Sequence, residues 1–287
     1  MIREYALDPE GFCDWNAFRH VAMGLGFSHG RVVAAFPKDW KRRAYGRASD
    51  PDMDQNTKKK IEVWLQRSGD FLVDSRRGRQ YESSQGWYQN ACEEHDRSPF
   101  HAIIAEKDDP ANPPRLDIKD VDDDKPLWQI QRQIVVARNA NGIGPPVSGL
   151  FRFARQIRVV DPYFLADPGQ MAILFACLPK ATSSLPSTIE IELHVSGEKV
   201  QPTTLIYMNA AFSRSMPNGW ALPKIIRWRP GYLHNRFFLT DRGGIMLGDS
   251  IQPHDSRPDQ LTLLEKKPFM EWWAYHDKVV HVGDLSP

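Results

Sequence analysis

Cysteine is scarce in this chain: Cys13, Cys92 and Cys177 are the only three in 287 residues. They are odd in number and far apart, with no CxxC pair and no Cys/His ligand spacing. This pattern excludes a disulfide framework, argues against a structural zinc site, and fits free thiols in a reducing cytosol. Long apolar runs are also missing, so no segment approaches the roughly 20 residues of a membrane span. The opening MIREYALDPEGFCDWN is too charged for the apolar core of a signal peptide. A cytoplasmic location is therefore expected. Net charge is lacking too: 37 Lys and Arg face 36 Asp and Glu. Any contact with a polyanion must come from local clustering.

The charge that is present is unevenly placed. Residues 31–79 carry thirteen Lys/Arg against seven Asp/Glu, whereas residues 91–125 carry five against eleven. The acidic part, EKDDPANPPRLDIKDVDDDKP, is rich in Pro and Asp and predicts an exposed loop. In KKKIEVWLQRSGDFLVD (58–74), Ile61, Trp64 and Leu65 recur at helical spacing, and PFHAIIA (99–105) suits a buried strand. Leu127, Ile130, Ile134 and Val135 predict a helix over 126–140, stopped by NGIGPP, with a second short helix at 147–156.

From there alternation takes over. IRVVDPYFL (157–165) is β-rich and ends at Asp161-Pro162, and GQMAILFACLPKA (169–181) is helical and closes at Pro179. STIEIELHVS (187–196) places Ile189, Ile191, Leu193 and Val195 on one strand face with polar residues opposite. KIIRWRP, LHNRFFLT and GGIMLGDS follow as strands with tight turns at Pro230-Gly231 and Gly243-Gly244, and DQLTLLEKKPFMEWWAYHDK predicts a closing helix. Trp128, Trp220, Trp228, Trp272 and Trp273 are expected in the core. The expectation is an α/β protein with an α+β region of unassigned role at 1–145 and a mixed sheet flanked by helices at 146–287.

Within LHNRFFLTDRGG, His234 and Arg236 stand two apart, four residues separate Arg236 from Asp241, and six more separate Asp241 from Gly248-Asp249-Ser250. This resembles the HxK(x)4D(x)6GS signature of the phospholipase D superfamily, and the resemblance extends over roughly residues 150–275. Here Arg236 replaces the family's lysine, and Gly248-Asp249-Ser250-Ile251 replaces GSxN, without the asparagine. The HxR form is similar to the phospholipase D-like C-terminal domain of proteins carrying microtubule-interacting-and-trafficking domains. That branch implies binding of anionic lipid headgroups and dimerisation rather than hydrolysis.

The chemistry is physically reasonable. Residues two apart on a strand share a face, so His234 and Arg236 are expected side by side at a sheet edge. An imidazole can attack phosphorus or protonate a leaving oxygen, and a guanidinium holds phosphate oxygens with a fixed fork of donors. Asp241 would orient the imidazole, Gly243, Gly244 and Gly248 would let backbone N–H groups approach an anion, and Ser250 would add a hydroxyl. Asp161, at the end of its strand, is expected at the mouth of the site. The resemblance requires no metal and no cofactor. It implies two histidines per active site, and no second motif occurs, so a homodimer is expected.

PKDWKRRAYGR (37–47) sets Lys38, Lys41, Arg42, Arg43 and Arg47 around Trp40 and Tyr45. Cations interleaved with aromatics suit a nucleic-acid strand, and a solvated helix face is the plainer alternative. The first functional expectation is a phosphodiesterase acting on DNA or RNA. The second is a non-catalytic module binding phosphate on nucleic acid or, less favoured, anionic lipid, and the third is an assembly subunit.

Overall fold

The computed structural model describes residues 1–11, 15–74, 78–106, 114–178, 189–216 and 220–278. Cys13, Pro179 and residues 107–113 of the acidic run lie outside them. The protein is α/β and forms two compact units, Ile2–Ile130 and Gln131–Pro287, each with its own sheet. Among the described residues no helix is long and apolar enough to cross a membrane, and no cluster of His, Cys, Asp or Glu could hold a metal ion.

The first unit is built on five parallel strands: β1 (Arg3–Leu7), β2 (Arg31–Ala34), β3 (Leu72–Val73), β4 (Ala102–Ala105) and β5 (Arg115–Asp117). Their order is β3-β2-β1-β4-β5. Strands such as RVVA and AIIA are almost continuously apolar because helices cover both faces of a parallel sheet. Helices α1 (Trp15–Gly24), α2 (Trp40–Ala48) and α3 (Gln55–Gln66) pack Phe18, Trp40, Ile61, Trp64 and Leu65 against Tyr5, Leu7 and Val33. On the opposite face, α4 (Trp87–Arg97) packs Trp87 and Ala91 against Ala6, Ala34 and Ile103. Helix α3 starts where Asp54 accepts from the Asn56 and Thr57 amides, and its expected apolar stripe is buried. The acidic run is not all loop: its described part includes β5, with Leu116, Ile118 and Val121 buried.

In the second unit β6 (Gln133–Arg138), α5 (Ala140–Phe151), β7 (Gln156–Val160), α6 (Pro168–Cys177), β8 (Glu190–Ser196) and α7 (Pro202–Ser215) come first. Strands β9 (Lys224–Trp228), β10 (Arg236–Thr240), β11 (Gly244–Leu247), β12 (His254–Leu263) and helix α8 (Lys266–Lys278) complete it. The mixed sheet runs β6-β12-β11-β10-β7-β8-β9, so β10 lies inside it rather than at an edge. β7, β8 and β9 are parallel, and β10 returns antiparallel to β7.

Several expectations are corrected here. Residues 133–138 form a strand, not a helix, because Ile134-Val135-Val136 are β-branched and pair with β12. NGIGPP does not stop a helix but belongs to one: α5 is capped by Asn139, whose side chain accepts from the Gly142 amide. The expected boundary at 145 thus falls inside α5. Pro145 and Pro146 each forfeit a helical hydrogen bond, which burial of Ile143, Val147, Leu150 and Phe151 offsets. The closing segment is β12 followed by α8, not one helix, and α7 occupies the passage before β9 that was given no element.

Two features of this packing give measurable consequences. A Cβ on Gly144 would sit 2.6 Å from the Ala176 methyl and 2.9 Å from its carbonyl oxygen, so α5 and α6 approach as closely as glycine allows. Gly144→Ala therefore destabilises by about 1–3 kcal/mol through overpacking, instead of gaining the ~1 kcal/mol of helix propensity. Urea unfolding of the two proteins gives the sign.

The second feature is His276 of α8, 3% exposed, whose Nδ1–H donates to the Trp272 carbonyl (2.7 Å). It lies edge-on to His194, which accepts from the Trp228 indole at 2.9 Å. Burial pushes the His276 pKa down to about 4. The folded state keeps this imidazole neutral while the unfolded chain takes up a proton below its ordinary value near 6.5. Stability is thus fully present above that value and declines as pH falls toward the folded value. From about pH 7 to about pH 5 the loss is about 2 kcal/mol, and His276→Leu flattens the profile in that window.

Candidate functional site

Three strands converge at the carboxyl end of β7. Val160, its last residue, pairs with Phe237 of β10, and Arg236 at the start of β10 pairs with Leu247 at the end of β11. Antiparallel pairing therefore brings Asp161, Arg236 and the Gly248-Asp249-Ser250 segment to one end of the sheet.

Asp161 is fully buried. One carboxylate oxygen accepts from the Tyr163 amide (2.9 Å), the other from the Ser250 hydroxyl (2.8 Å) and the Ile251 amide (2.7 Å). Burial raises its pKa above the ordinary carboxylate range, against the opposing pull of these hydrogen bonds and of the Arg236 charge. Ser250 is also buried and its hydroxyl is spent on Asp161. Both residues were expected to meet a ligand; they instead fasten the 249–251 segment to the end of β7.

Around this anchor stand the groups able to meet a ligand. Arg236 is half-buried, and its guanidinium carbon lies 5.5 Å from the centre of the Tyr163 ring. The Lys199 amine lies 5.6 Å from the same ring. Tyr163 is 46% exposed, so an aromatic face and two cations share one surface. The Nε of Arg236 is buried and has no hydrogen-bond partner among the described residues. Behind them, Arg138 donates to the Asp249 carboxylate (2.7 Å) and the Ser250 carbonyl (3.1 Å). The Ser250 amide, then the Arg138 and Arg236 charges, hold the Asp249 pKa low. The buried Asp259 accepts from the Asp249 amide at 3.1 Å, and a Cβ on Gly248 would come within 3.0 Å of that carboxylate.

The remaining motif residues do not join this cluster. His234 is exposed in the segment before β10, outside the strand, so strand alternation does not fix it beside Arg236. Asp241 follows the far end of β10, roughly 16 Å along the strand from Arg236. Its carboxylate accepts from the Arg155 (2.8 Å) and Gln156 (3.3 Å) amides at the start of β7. Asp241 therefore braces a turn and does not orient His234. Gly243 and Gly244 sit at the same distant end. The Gly243 amide donates to the Thr240 hydroxyl at 3.1 Å, and a Cβ on Gly244 would come within 2.7 Å of Leu239. They serve the β10–β11 hairpin, not an anion.

In the first unit the basic stretch is largely self-satisfied. Trp40 is fully buried and its indole donates to the Leu7 carbonyl at 2.6 Å, so it offers no face to a base. Arg42 pairs with Asp39, Arg47 with Asp50, and Arg43 with both Asp39 and the Tyr81 hydroxyl. Lys38 and Lys41 remain exposed.

Sequence reasoning passed over Tyr163, Lys199 and Arg138. Tyr163 lies in the IRVVDPYFL run, and its position two residues past Asp161 was the available signal. Nothing in local spacing ties Lys199 or Arg138 to Arg236.

Comparison with known proteins adds little. No family model and no curated protein matches the chain. Among solved structures, TrmBL2, an archaeal chromatin protein described with a novel mode of DNA binding, matches at 11% identity and a TM-score of 0.29. The match covers 51% of this chain and 54% of that one, about half of its length.

The anchor gives a direct test. Asp161→Ala strands the Ser250 hydroxyl and two amides in a dry site and lowers stability by about 3 kcal/mol, whereas Ser250→Ala costs about 1 kcal/mol. Urea midpoints with an unchanged denaturant slope check both values.

Proposed function

We propose that the unit from Gln131 onward is a phospholipase D-like module that binds the phosphodiester backbone of single-stranded nucleic acid at the carboxyl end of β7. The observation that carries this reading is the exposed Tyr163 ring flanked by Arg236 and Lys199, at 5.5 and 5.6 Å. A base stacks on an aromatic face while cations neutralise the adjoining phosphates. Arg236 is half-buried, so the exposed part of its guanidinium stays within reach of a phosphate oxygen. The motif spacing and the β7–α6–β8 order that precedes it support the phospholipase D-like assignment.

Recognition is favoured over turnover because the Asp241 carboxylate is committed at the other end of β10 and leaves His234 without its orienting partner. Hydrolysis is the second reading, favoured by the exposure of His234 two residues ahead of Arg236. It would need two copies of the chain to contribute a histidine each to one site.

Fluorescence anisotropy with labelled single-stranded DNA and RNA, paired with cleavage assays in EDTA, separates these readings. Tyr163→Ala and Arg236→Ala are each expected to weaken binding about tenfold or more, corresponding to the ~1–3 kcal/mol of a stacked base. Binding without cleavage, unaffected by His234→Ala, supports recognition. Cleavage abolished by His234→Ala replaces it with the enzymatic reading. Binding to vesicles with an anionic headgroup, and none to nucleic acid, overturns the nucleic-acid assignment.

A further inference from the structure

The first unit carries a cavity of its own, about 370 Å³, at the carboxyl ends of β2 and β3. Parallel α/β sheets bind ligands outside the carboxyl ends of their strands. Phe36 and Lys38, just past β2, form one wall; Asp39 and Arg43 from the first turn of α2 form another. Asp74, just past β3, and Tyr81, on the segment leading to α4, close it.

The lining is chemically differentiated. Lys38 is exposed and makes no ion pair among the described residues. Arg43 is fixed in place: its Nε donates to Asp39 (3.2 Å) and one Nη donates to the Tyr81 hydroxyl (3.1 Å). A guanidinium carries five donors, so the second Nη is left to meet an anion beside Lys38. Tyr81 stands edge-on to the buried Phe36 at 5.4 Å, and the Arg43 guanidinium carbon lies 5.0 Å from the centre of the Tyr81 ring, an aromatic corner with a cation beside it. Asp74 lines the same cavity with an exposed carboxylate, an acceptor for hydroxyl donors.

Size and sequence narrow the ligand. The volume is at the lower end of the roughly 300–1,000 Å³ of ligand pockets, room for one nucleotide and not for two. The turn after β1 reads Asp8-Pro9-Glu10-Gly11, without the GxGxxG that cradles a dinucleotide's pyrophosphate. We propose that this cavity binds a nucleoside monophosphate, with its phosphate on Lys38 and Arg43, its base against Tyr81 and a ribose hydroxyl on Asp74.

Titration calorimetry of the full chain with the four common ribonucleoside monophosphates, with adenosine and with inorganic phosphate tests this. At least one monophosphate is expected to bind in the submillimolar range, about tenfold tighter than phosphate or nucleoside alone. Lys38→Ala and Asp74→Asn, both at exposed positions that leave the core intact, are each expected to weaken it about tenfold. The proposal is overturned if no monophosphate binds, if inorganic phosphate binds as tightly as the nucleotides, or if both variants bind like the parent protein.

Discussion

The second unit is organised by one buried carboxylate. Asp161 receives three hydrogen bonds in a site sealed from water, and each comes from a segment that strand pairing alone would leave loose. Because a dry carboxylate is costly unless its lone pairs are filled, its partners are held as firmly as it is. The Tyr163 turn and the Ser250-Ile251 backbone are consequently fixed at one end of the sheet. Arg236 inherits its position from the same place, since β10 starts where β7 ends. The candidate site is thus a by-product of an anchoring network, and its ligand-facing groups stand on a rigid base.

That arrangement divides the sequence motif into two structural roles. Arg236 and the Gly248-Asp249-Ser250 segment gather at the carboxyl end of β7, whereas Asp241, Gly243 and Gly244 hold the other end of the β10–β11 hairpin. A five-residue strand separates the two groups. Spacing that reads as one constellation along the chain is two constellations in space, because the strand that carries it is extended. The consequence is chemical: the histidine loses the carboxylate assigned to it.

The sequence was most legible where periodicity and punctuation agreed. Ile191, Leu193 and Val195 alternate and are buried on one face of β8, and the Asp167 cap with Pro168 starts α6 close to where GQMAIL predicts it. It misled where one apolar set satisfies two periods. Ile134 and Val135 fit a helix when counted with Leu127 and Ile130, yet the β-branched triplet and pairing with β12 decide for a strand. Pro145 and Pro146 read as a stop because the burial of Ile143, Val147, Leu150 and Phe151 that offsets them is set by tertiary packing, beyond any local window. In the first unit Trp40 looked like a stacking platform among cations, and only the fold reveals its indole bonded to the Leu7 carbonyl. Tyr163, Lys199 and Arg236 are brought together by tertiary structure alone. No spacing rule links residues so far apart in the chain.

The most direct measurement of the account is the Arg236 Nε–H resonance in isotope-labelled protein as a short single-stranded oligonucleotide is titrated in. If a phosphate docks beside Tyr163, that signal shifts progressively and saturates together with the Tyr163 ring signals. Saturated binding that leaves both unmoved would place the nucleic acid elsewhere on the molecule and contradict the account.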